Sequence, residues 1–90
     1  MKTRLNNMPY AQAHTVHYDD GLKVLVSYTT PVAELTKDGW LEILGLYSAT
    51  TRRHIGAFMK EYTPFNYQLA KQLFEDGMKL NIYTGEVIKL

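Results

Sequence analysis

Residues 40–62, WLEILGLYSATTRRHIGAFMKEY, change period midway, and that change decides the fold. Trp40 to Tyr47 alternates, with Leu41, Ile43 and Tyr47 sharing a face with Gly45, as a strand requires. From Thr50 the repeat lengthens. Ile55, Phe58, Met59 and Tyr62 fall at i, i+3, i+4 and i+7, one stripe of a helix. Thr50 or Thr51 is placed to cap this helix, its hydroxyl accepting an otherwise unpaired backbone N–H. Gly56 costs up to about 1 kcal/mol there and marks close packing against another element.

Upstream the two-residue period dominates. Ala13 to Asp19 alternates, Asp20-Gly21 offers a favourable turn, and Leu22 to Thr29 reads as the returning strand. Pro31 brings no N–H, so it ends or bulges the ladder, and Val32 to Leu35 continues beyond the break. Lys37-Asp38-Gly39 turns the chain into the strand at Trp40. Residues 1–12 have no firm period, and Asn6-Asn7-Met8-Pro9 reads as a turn or part of a loose arm. Downstream, Thr63-Pro64 has the form of an N-cap followed by proline in the first helical turn. Phe65, Leu69, Leu73 and Phe74 then line a second helix, which Gly77 caps. Met78 to Tyr83 alternates again, and Thr84-Gly85 turns it toward Glu86 to Leu90. The expected fold is a single α+β domain over residues 1–90. Its parts are an antiparallel three-stranded meander, two helices packed on one sheet face, and a C-terminal strand or short hairpin.

Composition narrows the class further. Ninety residues hide roughly 60–65% of their unfolded surface, enough for one modest core. Apolar residues make up 46% of the chain, which excludes disorder, and no apolar run is long enough to span a membrane. Ten Lys and Arg against nine Asp and Glu give +1, far from a strongly basic nucleic-acid module. The absence of cysteine excludes disulfides and thiolate zinc sites, and the expected location is cytoplasmic. A small domain without staples, with more large apolar residues than one inner face can hold, is expected to associate as a dimer.

The densest polar cluster is Thr50-Thr51-Arg52-Arg53-His54, at a helix start where free N–H groups favour an anion. The structural alternative is that the arginines pair with Glu61, Glu34 or Glu42 while the threonines cap. His14 and His17 stand three apart on a strand and face opposite ways, and His54 gives no ligand spacing, so no metal is expected. Asp19, Asp20 and Asp38 are explained by turns, and Glu75 with Asp76 by a helix end. The six glycines are dispersed, without a phosphate loop or a dinucleotide fingerprint. No catalytic residues and no cofactor are therefore expected.

Two blocks carry a resemblance. Ser27-Tyr28-Thr29-Thr30-Pro31-Val32-Ala33 has the form S-Y-x-T-P-V-A, and Tyr47-Ser48-Ala49-Thr50-Thr51-Arg52-Arg53-His54-Ile55 has the form Y-S-x-T-T-x-x-H-I. Over about Val16 to Tyr62 the chain resembles a small domain found among uncharacterised bacteriophage and mobile-element proteins. That resemblance implies a phage origin (a host-cytoplasmic location with it) and an accessory role, and it favours binding over catalysis. The expected function is non-enzymatic binding of a protein partner. Thr50, Thr51, Arg52, Arg53 and His54 would form the rim of that surface, with Trp40 and Tyr47 as anchors. The rival is a nucleic-acid module contacting phosphate through Thr50 to His54.

Overall fold

The computed structural model describes all residues from Met1 to Leu90. In chain order the elements are β1 (Lys2–Arg4), β2 (Ala13–His17), β3 (Lys23–Ser27), β4 (Thr30–Leu35), β5 (Trp40–Ile43), α1 (Ala49–Tyr62), α2 (Tyr67–Asp76), β6 (Met78–Asn81) and β7 (Val87–Lys89). The strands form one antiparallel seven-stranded sheet in sequence order, with both helices inserted between neighbours β5 and β6. This corrects the three-stranded meander expected from the sequence. The molecule is mostly sheet.

Two features account for the difference. Residues 2–4 pair with β2, Thr3 opposite Thr15, and Leu5 is fully buried, so the N-terminus is an edge strand rather than a loose arm. The accessible area of 5398 Å² fits a compact chain of this mass, with nothing extended. The stretch read as one interrupted strand reverses at Tyr28-Thr29, where Ser27 pairs with Thr30. Pro31 begins the return, and the register slips beside it: Leu25 faces Ala33 while Val26 faces Pro31, leaving Val32 unopposed. Val32 and Ala33 both point into the core, the signature of a β-bulge.

Alternation then sorts the sheet into two faces. Leu25, Ala33, Leu35, Leu41 and Ile43 are buried against Ile55, Phe58, Met59, Ala70 and Leu73 of the helices. Each large side chain buried there contributes about 1.5–3 kcal/mol. α1 lies against β3 and β4, and α2 against β5 and β6. The other face carries Lys2, Val16, Val24, Glu34 and Glu42, and no element of the chain covers it.

The caps also differ from expectation. Ser48, not Thr50 or Thr51, caps α1: its Oγ accepts from the Thr51 N–H at 3.1 Å. Thr63 ends α1 instead of starting α2, its N–H and Oγ1 both reaching the Met59 carbonyl. Asn66 caps α2 because its Oδ1 serves two donors, the N–H groups of Gln68 and Leu69. Gly77 does close α2, at φ +64. No helix is long and apolar enough to cross a membrane.

Candidate functional site

The turn from β3 to β4 concentrates the unusual features. A two-residue hairpin with positive φ at its first central position ordinarily carries glycine there. This chain carries Tyr28, at φ +58, the one non-glycine residue with positive φ. A bulky side chain in that region costs about 1–2 kcal/mol, so its surroundings must hold it. The Tyr28 N–H donates to the Gln12 carbonyl at 2.7 Å, and its ring lies tilted on the His54 imidazole, centroids 5.9 Å apart.

Beneath the turn runs a line of hydroxyls, exposed at Ser48 and buried at Thr51 and Ser27. Ser48 Oγ donates to Thr51 Oγ1 at 3.2 Å, Thr51 Oγ1 lies 3.1 Å from Ser27 Oγ, and Ser27 Oγ lies 2.8 Å from His54 Nδ1. One direction satisfies the whole line. Ser48 gives to Thr51, Thr51 to Ser27, and Ser27 to an unprotonated Nδ1, leaving the imidazole proton on Nε2. Burial pushes the His54 pKa below its ordinary 6.5, in keeping with this neutral form. Ser27, Thr51 and His54 are each under 5% exposed, so the line is a fastening and not a nucleophile open to substrate. It ties the two sequence blocks together, Ser27 and Tyr28 from one, Ser48, Thr51 and His54 from the other.

What the fastening presents is a groove. Tyr28 forms one wall of an open cavity of about 500 Å³, together with Lys2, Arg4, Tyr10, Gln12 and His14. No carboxylate lines it. Tyr10 is 91% exposed and Tyr28 54%, so two phenol rings are available beside two cations. The Arg4 Nη1 donates to the Pro9 carbonyl at 3.2 Å, holding the loop that carries Tyr10 against the sheet edge.

The residues singled out from the sequence divide. Thr51 and His54 are buried, Thr50 is half-buried, and Arg52 and Arg53 are exposed. Arg52 Nε donates to the Leu46 carbonyl, and Glu61 accepts from the Asn6 N–H. Tyr47 is exposed and folds its ring over Gly45, where an added Cβ would lie 2.3 Å from it. Trp40 stands at the start of β5, on the sheet face away from the helices, with Lys79 Nζ 5.3 Å from its ring centre. It is not brought to the Thr50–His54 corner. The side chains of Thr51 and His54 are spent inside the fold, which removes them as phosphate contacts. Lys2, Arg4 and Tyr10 gave no signal in sequence, because their role depends on β1 pairing with β2. No three His, Asp or Glu side chains are grouped to hold a metal ion.

No curated protein and no solved structure matches the chain. Residues 2–75 match the Family of unknown function (DUF8033), a span that includes the groove, the hydroxyl line and both sequence blocks, and the chain belongs to that family.

Proposed function

We propose that the protein is a non-enzymatic binding module that takes a single-stranded nucleic acid in the Tyr28 groove. The observation that carries this reading is the pairing of two exposed tyrosines with Lys2 and Arg4 in a groove without carboxylates. Aromatic faces stack bases of any sequence, and cations follow the phosphates. A tyrosine held against a backbone penalty supports it, since strain of this kind gathers where a side chain must be presented. A net charge of +1 does not oppose it, because Glu34 and Glu42 sit on strands remote from the groove. The resemblance of the two sequence blocks to bacteriophage and mobile-element domains is in keeping with an accessory role of this sort.

Fluorescence anisotropy with labelled oligonucleotides tests the reading. With two or three phosphates engaged, the log–log salt slope for a single strand is about −1.4 to −2.1. Between 50 and 200 mM salt that is a loss of roughly 7- to 18-fold. Arg4→Ala and Tyr10→Ala should each weaken binding, while Arg52→Ala with Arg53→Ala should leave it unchanged. Failure to bind single strands at tens of micromolar protein in low salt ends the proposal.

A further inference from the structure

The uncovered sheet face has a charge pattern that a second copy of itself would match. Across the strands, one row reads Lys2, Val16, Val24, Glu34, Glu42 from β1 to β5, each residue paired in register with the next. A cation stands at one end, two valines in the middle and two carboxylates at the other end. Glu34 and Glu42 lie directly opposite one another, an arrangement that like charges disfavour unless a cation intervenes. Lys79, one strand beyond Glu42, has its ammonium over the Trp40 ring. Both valines are half-buried without any element of the chain packed over them.

We infer that two copies pack open face to open face about a two-fold axis that runs parallel to the strands, between β2 and β3. That axis reverses the row. Val16 of one copy meets Val24 of the other, and Lys2 meets Glu34 of the other, each contact occurring twice as symmetry requires. An axis across the strands would instead set Lys2 on Lys2 and Glu34 on Glu34, so the charge pattern selects the orientation. Two sheets packed this way stand about 10 Å apart, the normal spacing of a sandwich. Val26 lies one step along β3 toward the Tyr28 turn and extends the apolar centre. Tyr10 and Tyr28 lie past the row at that same end of the strands, but Lys2 belongs to both the row and the groove wall, and Arg4 and His14 lie in register with Val26, so the dimer and the groove share this edge of the sheet.

The size of the patch sets the strength. Four strands about 4.8 Å apart and five residues of about 3.4 Å give a projected area of roughly 300 Å² on each copy. With side-chain relief the total is on the order of 1,000 Å², the lower limit of a stable interface and the size class of weak, transient associations.

Sedimentation or light scattering on the full chain across micromolar concentrations is the test. The mean mass should climb from 10.4 kDa toward twice that value. Lys2→Glu and Glu34→Lys should each weaken association by about tenfold or more, since either sets like charges face to face. The two substitutions combined should restore it. Val24→Glu should abolish the dimer, and if that variant fails to fold, the two charge variants at the rim still decide. A mass that stays at 10.4 kDa at high micromolar protein overturns the inference. So does a dimer indifferent to the single reversals, or one that the double reversal does not rescue, because the interface then lies elsewhere, such as the exposed β7 edge.

Discussion

A histidine meets hydroxyl groups at each end of α1, His54 of the helix at one and His17 of β2 at the other, and the two sites differ in how far water reaches them. At the N-terminal end His54 is 1% exposed, and Ser27, Thr51 and Ser48 exhaust the local hydrogen bonds in one line. At the C-terminal end His17 is half-buried, its Nε2 2.7 Å from Thr3 Oγ1 and 3.4 Å from the Tyr62 hydroxyl. The Tyr62 ring meets His17 edge-on, and Lys23 Nζ sits 5.6 Å from its centre. Nearby, Thr15 Oγ1 is buried with no partner. The first end is closed, and each polar atom has one assignment. The second has spare donors and acceptors, so it tolerates loss. Similar chemistry fixes a turn at one end and only trims a surface at the other.

The largest expected contrast comes from removing each histidine in turn. His54→Ala should lose about 3 kcal/mol in urea unfolding, from a cavity plus the Ser27 hydroxyl left without its acceptor. His17→Ala should lose less than about 1 kcal/mol, because water replaces the ring. Equal losses would break the comparison. Acid should separate the ends as well. The pKa of folded His54 lies below the unfolded value of 6.5, so between the two the unfolded chain binds the extra proton. Stability is therefore full above pH 6.5 and falls as the pH drops below it. A proton on Nδ1 would also face the Ser27 donor and force the hydroxyl line to reverse. The melting temperature followed from neutral to mildly acidic pH should show this decline in the wild type and a shallower one in His54→Gln.

A smaller effect has the opposite sign. Tyr28→Gly relieves the positive φ and should raise stability by about 1 kcal/mol, less whatever the ring gains on His54. The same change should cut oligonucleotide binding several-fold. A variant losing both stability and binding would show that the turn is structural only. Smallest of all is Tyr62→Phe, under about 1 kcal/mol near neutral pH. Burial first of all raises the Tyr62 pKa above 10.0, so the wild type should lose stability as pH rises past 10. Tyr62→Phe should lose less over that range, which circular dichroism can follow.

Much of the fold was legible where side-chain chemistry is local. The stripe from Ile55 to Tyr62, the αL cap at Gly77 and the turns at Gly21 and Gly39 follow from residues a few positions apart. What escaped depends on distant partners. β1 is three residues long and has no pattern until β2 lies beside it. The Tyr28-Thr29 reversal has no glycine or asparagine to announce it, and Pro31 pointed to the irregularity without revealing its direction. The candidate site shows the same divide. The Thr50–His54 stretch was conspicuous as a helix start, yet its inward half serves Ser27, a residue 27 positions away from His54. The groove residues on β1 and its loop were invisible for the same reason.

The insertion of both helices between β5 and β6 also has a kinetic consequence. Strands β1 to β5 zip through successive short reversals, each a quick loop closure. The β5–β6 pairing, Leu41 with Leu80, must wait for the whole helical segment to collapse into place. The C-terminal hairpin is thus a late seam, sewn after the meander has formed. Pulsed hydrogen exchange should find the amides of β3 protected before those of β6, and until that seam closes the edge of β5 stands open to strands from other chains.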